Sequence, residues 1–244
     1  MGCPVGIPFS LLFGYNDSMD NKEFFLLLEK EKDKKYQEFS SSLSGSDLPL
    51  LGVRIPVLKR LILSVEDDGG VDPDAFPLDR YIEISIAYFA LSLIRKKNYQ
   101  EQMEFLLAKL SFARSWQITD TILGFVEKAP FSSFFPYFVK MIDSPDIFTR
   151  RFGYVRMRAY SKDKEIKKVL PYIYRTKDYY VEMAEAWLLA DIAVYYPELV
   201  LSYLQKKKVS LSLAAKAERK LLDSYRILPK DKEEARAILE KKKE

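Results

Sequence analysis

A few residues of this 244-residue chain that could do chemistry recur in step. Asp120 and Arg151 are 31 residues apart, and Met183 follows Arg151 by 32. Trp116 precedes Asp120 by four positions and Trp187 follows Met183 by four, so each pair shares a helix face. Equal phase in successive helical repeats means equal placement, so the spacing predicts one row of Trp116, Asp120, Arg151, Met183 and Trp187. Such a row can work on nucleic acid. Tryptophan faces pack on deoxyribose or bases, arginine meets a phosphate through two N–H bonds, and a lone carboxylate stabilises a cation developing on a sugar. Each residue alone has a plainer reading. A tryptophan at helical spacing usually fills a core, an early Asp complements a helix dipole, and Arg150-Arg151 is an ordinary solvated pair. Their shared phase favours the functional reading.

Composition narrows the chemistry. The chain has one cysteine, Cys3, and no histidine. An intrachain disulfide, a Cys/His zinc site and any histidine-activated nucleophile are therefore excluded. Acid–base or electrostatic work falls to carboxylates, Tyr, Lys or Arg, and no metal or cofactor is expected. Scarce cysteine fits a reducing interior, here a cytoplasmic, nucleoid-associated location. The net charge of +4 conceals an uneven distribution. Residues 1–80 sum to −5, whereas residues 147–180 carry ten basic side chains against three acidic ones. That run (Arg150, Arg151, Arg156, Arg158, Lys162, Lys164, Lys167, Lys168, Arg175 and Lys177) is a candidate phosphate-facing patch.

These residues need helices to position them. With 9 glycines and 12 prolines in 244 residues, little turn-forming material is left for a sandwich or barrel, so the class is all-α. Helix is expected over at least about 60% of the chain, well above the usual third. Residues 1–18 read as an N-terminal extension, too short and too interrupted by proline to span a membrane. Residues 19–244 read as a single repeat domain, expected to be a monomer. One amphipathic helix is expected from Asn21 to Ser42, a loop over 45–56, and a short helix over 57–65. The stretch from Glu66 to Pro77, with Gly69-Gly70, is the clearest break. Beyond it, first helices start near Arg80, Trp116, Ile147, Tyr179 and Leu211, 31–36 residues apart. Second helices echo one another around Tyr137, Tyr172 and Tyr203. The pattern is that of an α-α superhelix of HEAT-like pairs.

Four segments, in order, resemble the AlkD-like DNA alkylation repair family. They are Leu51-Gly52-Val53-Arg54-Ile55-Pro56, Trp116-Gln117-Ile118-Thr119-Asp120, Ile147-Phe148-Thr149-Arg150-Arg151, and Tyr179 to Trp187. Pro197-Glu198 and Ser224-Tyr225-Arg226 also fit. The resemblance spans about residues 20–242 and implies a glycosylase that excises cationic N3- or N7-alkylated purines from duplex DNA. By position it implies Asp120 as the electrostatic stabiliser, Trp116 and Trp187 as sugar platforms, and Arg151, with Arg150 beside it, on phosphate. Two departures stand out. Ala190 occupies a position where better-known members carry arginine, and Glu182 and Glu185 place acid on a helix that often carries lysine. A DNA binder without excision, recognising distorted or branched DNA, therefore remains an alternative, as does a protein-interaction solenoid.

Overall fold

Asp33 sits inside a run of charge, Glu29 to Lys35, with no apolar side chain to hold a continuous helix on a core. The expected single helix over Asn21–Ser42 is accordingly two: α1 (Asn21–Lys30) and α2 (Lys34–Ser44). Asp33 adopts extended backbone, accepts from the Tyr36 N–H as the cap of α2, and donates its own N–H to the Gly52 carbonyl. Capping competes directly with helix continuation, and here the cap wins. The arrangement is held from outside by Arg54, whose guanidinium bonds Asp33 at 2.7 and 2.9 Å. Those bonds, after the Tyr36 N–H, hold the Asp33 carboxyl below its usual range.

The computed structural model describes residues 19–65, 70–173 and 177–244. The N-terminal extension, Gly69 and Arg175 lie outside them. Of the described residues 72% are helical, and none forms a strand beyond one isolated bridge between Lys32 and Val53. The remaining helices are α3 (Ile55–Ser64), α4 (Ile82–Ile94), α5 (Tyr99–Lys109), α6 (Trp116–Ile122), α7 (Phe131–Ile142), α8 (Ile147–Met157), α9 (Tyr179–Ala193), α10 (Pro197–Leu204), α11 (Leu211–Asp223) and α12 (Pro229–Lys243). Among the described residues no helix is long and apolar enough to cross a membrane. Two compact units emerge. One takes in the described residues up to Phe105 with Phe112–Glu127, the other Leu106–Ser111 with Lys128–Glu244.

The first unit is organised around α4, which is buried along its length from Ile82 to Leu93 and carries α3 and α6 against it. Its second residue, Glu83, is fully buried. The Leu51 and Gly52 N–H groups donate to its carboxylate at 2.8 Å and the Val53 N–H at 3.2 Å. The turn exists because residue 52 is glycine. Its φ is +99°, and a Cβ there would lie 2.9 Å from the Gln37 Cβ and 3.0 Å from the Asp33 carbonyl oxygen. The Leu51–Pro56 segment thus closes around a buried carboxylate, which burial nonetheless pushes above the usual carboxylate range.

In the second unit α8, α9 and α11 lie side by side, with α7 against α8, α10 against α9 and α12 against α11. The contacts climb in one direction. From α8, Phe148 meets Tyr180 and, beyond the helix, Arg158 meets Asp191; from α11, Ser212 meets Glu182 and Lys220 meets Trp187. The three helices are therefore parallel, as stacked first helices of a solenoid must be. The starts of α6, α8, α9 and α11 coincide with the expected ones, and α4 starts at Ile82. The expected second helix around Tyr172 is a 3-10 helix, Lys164–Tyr172, instead. Its apolar residues Ile166, Val169 and Tyr172 recur every third position, which suits three residues per turn, and Pro171 removes a donor that an α-helix would use.

Replacing Glu83 with alanine leaves three buried N–H groups without an acceptor. The expected loss is about 3 kcal/mol or more, read as a lowered melting temperature. An unchanged melting temperature would mean that the 51–53 turn does not need its carboxylate.

Candidate functional site

Trp116 opens α6, placed there by Ser115, whose hydroxyl accepts from the Gln117 N–H at 3.1 Å. Ile118, Thr119 and Ile122 turn inward, so Trp116 and Asp120, one turn apart, are left half-buried on the other side. The indole N–H donates to the Leu43 carbonyl at 3.2 Å, which fixes the ring against the end of α2. The Thr119 hydroxyl lies 3.0 Å from the Trp116 carbonyl and 3.2 Å from Asp120 Oδ1, with one proton to serve both. Phe39, Leu43 and Phe112, all more than half exposed, add apolar surface to this unit. A flat aromatic and a carboxylate thus share one helix face, which is the geometry needed to hold a sugar and a positive charge together.

In the second unit Arg151 and Trp187 come into contact. Arg151 is 3% exposed, donates to the Tyr180 carbonyl at 2.9 Å, and lies 5.5 Å from the centre of the Trp187 ring. Trp187 is half-buried on α9 and gathers two further cations, Arg158 at 4.9 Å and Lys220 at 5.0 Å. One turn on, Asp191 accepts from Arg158 at 2.7 Å and from Arg226 at 2.9 Å. Arg150 reaches back to the Pro145 carbonyl at 3.0 Å, beside the N-cap Asp146. Neither spacing nor charge points to Lys220, whereas Arg158 belongs to the basic run and Arg226 to the Ser224-Tyr225-Arg226 match. They come from the end of α8 and from α11 and the turn after it, and only packing brings them to α9.

The basic run of 147–180 divides. Arg151 and Arg156 are buried, the latter against the Phe134 and Tyr160 rings, while Lys162, Lys164, Lys167, Lys168 and Lys177 are exposed. The acid that Glu182 and Glu185 place on α9 is turned inward by the fold. Glu182 is buried and accepts from Ser212 and Lys216, each at 2.7 Å. Glu185 is fully buried; burial first, and then its charge, push the Tyr203 phenol well above its usual range. Both carboxylates face the core because the i, i+3 positions of α9 between α8 and α11 are core positions. Ala190, where an arginine was the family expectation, is also buried.

The sequence profile of DNA alkylation repair enzymes matches residues 22–220, a span that includes Trp116, Asp120, Arg151 and Trp187. The chain belongs to the DNA alkylation repair enzyme family. Comparison with curated proteins and with solved structures gives no match. Family membership gives this protein a DNA repair role, with DNA as its partner. Its α9 carries two internal carboxylates, Glu182 and Glu185, and its Trp187 lies against three cations.

Glu182→Ala strands the Lys216 ammonium, whose side chain is 21% exposed. Stability is expected to fall by about 2–4 kcal/mol, with DNA affinity unimproved, because the lost charge was internal. A gain in affinity without a fall in melting temperature would place Glu182 at the DNA surface.

Proposed function

We propose that this protein is a monofunctional DNA glycosylase that excises cationic N3- and N7-alkylated purines from duplex DNA. The observation that carries the reading is the Trp116–Asp120 pair on one face of α6, in a chain of the DNA alkylation repair enzyme family. An alkylated purine already bears positive charge and leaves readily. Catalysis then needs a group that favours oxocarbenium character at the sugar and a surface that orients the nucleotide. Asp120 supplies the negative charge, and Trp116 packs on the deoxyribose beside it. In the second unit Trp187 gives a further flat surface with Arg150 at a phosphate, and the buried Arg151 seats the ring rather than meeting phosphate itself. None of this requires histidine, metal or cofactor. The protein acts as a monomer on alkylated or distorted duplex in the cytoplasm, associated with the nucleoid.

A second reading, DNA binding with no excision, rests on Ala190, which leaves α9 without the arginine of the better-known enzymes. Base release decides between the two.

Duplex affinity is expected to fall steeply with salt, since each lysine or arginine on a phosphate releases counterions. Asp120→Asn keeps the shape and removes the charge. Release of 7-methylguanine from duplex DNA should drop about a hundredfold or more, while DNA binding persists. A structural aspartate would instead lower the melting temperature and reduce release only in proportion to folded protein. No release by the wild type above the spontaneous rate would leave the DNA-binding reading in place.

A further inference from the structure

Around Trp187 and Asp191 the second unit gathers four cations: Arg151, Arg158 and Lys220 lie against the ring, and Arg158 and Arg226 bond the Asp191 carboxylate. Of the other acids of α9, Glu182 is occupied by Lys216 and Ser212, and Glu185 is fully buried. Arg158, Lys220 and Arg226, set against Asp191 alone, therefore keep a surplus of positive charge. Like charges held this close repel, and an anion drawn among them relieves the repulsion.

The four cations are not equivalent. Arg151 is buried and committed to the Tyr180 carbonyl and the indole face. Arg158 and Arg226 have side chains 33% and 44% exposed, and Lys220 is half-buried. Each arginine uses one nitrogen on Asp191, Arg158 through Nε to Oδ2 and Arg226 through Nη2 to Oδ1. Most of the five N–H donors of each guanidinium remain for another acceptor. The two oxygens of Asp191 thus set the spacing of two planar forks beside an aromatic ring.

We propose that Arg158, Lys220 and Arg226 form a cradle for a backbone phosphate of duplex DNA, with Asp191 as the positioning residue that spaces the two arginines. Trp187 helps to hold the cradle, because its ring attracts both Arg158 and Lys220. The occupant is a phosphodiester of DNA, given the family of the chain, so the inference rests on the DNA-binding part of the proposed function. It is independent of excision. Arg226 comes from the turn after α11, past the matched span of 22–220.

The test uses the full chain and an undamaged duplex, with affinity measured by fluorescence anisotropy over a range of salt. Lys220→Gln and Arg226→Gln should each flatten the slope of log affinity against log salt by about 1, and the double variant should bind about tenfold or more weakly at low salt. The paired change Lys167→Gln with Lys168→Gln removes exposed cations elsewhere in the unit and should have the smaller effect. Asp191→Asn separates positioning from charge. It removes a negative charge, so a purely electrostatic acid predicts tighter binding, whereas a positioning acid predicts weaker binding at an unchanged melting temperature. Inorganic phosphate, at matched ionic strength, should not displace the duplex. Tighter binding by Asp191→Asn, equal effects from the Lys167 and Lys168 changes, or displacement by free phosphate would each overturn the cradle. Absent base release with the slopes as expected would instead count against the glycosylase and leave the cradle standing.

Discussion

The second unit depends on where each of its parallel helices begins. Asp146, Asp178 and Ser210 each cap a helix by accepting its first N–H groups, and they recur at intervals of 32 residues. A cap fixes the first turn, and the 1.5 Å rise per residue then fixes the depth of everything after it. That common start lets Arg151 reach the Tyr180 carbonyl and lets Lys220 fall over Trp187. A helix started one residue late would rotate its side chains by about 100° and break every contact between α8, α9 and α11.

Carboxylates illustrate how differently one chemical group is used. Glu83 accepts three backbone N–H groups deep in the first unit and closes a turn. Glu182 is matched with a lysine and a hydroxyl between two helices, and Glu185 lies wholly inside. Asp191 is only partly covered and binds two arginines at the surface. Asp120 is half-buried beside a tryptophan. Burying an acid is costly unless its oxygens are satisfied, so the internal ones serve the fold. The partly exposed ones lie beside the aromatic and cationic side chains on which the proposed DNA contacts rest.

Much of this was legible in the sequence. Four of the five repeat starts fell on the observed residues, because a helix of this kind announces itself through an apolar period and a polar cap. The all-α class followed from the scarcity of glycine and from that period. The Trp116 and Asp120 pairing was also readable, since four residues on one helix always share a face. The caps at Ser115, Asp146, Asp178 and Ser210 were a further signal that could have sharpened the repeat.

What the chain alone determined is therefore local: which segments coil, where they start, and which residues share a helical face. Tertiary structure decided the rest. It broke the first helix at Asp33, because Gly52 and Arg54 stabilise an extended residue there, about twenty positions away in sequence. It turned Glu182 and Glu185 inward and covered Arg151. It brought Arg158, Lys220 and Arg226 to one tryptophan and one aspartate from separations of 29 to 35 residues. Periodicity reports contacts between neighbours on one helix, whereas these depend on how three helices pack. A charged side chain shows its burial only once the surfaces beside it are in place.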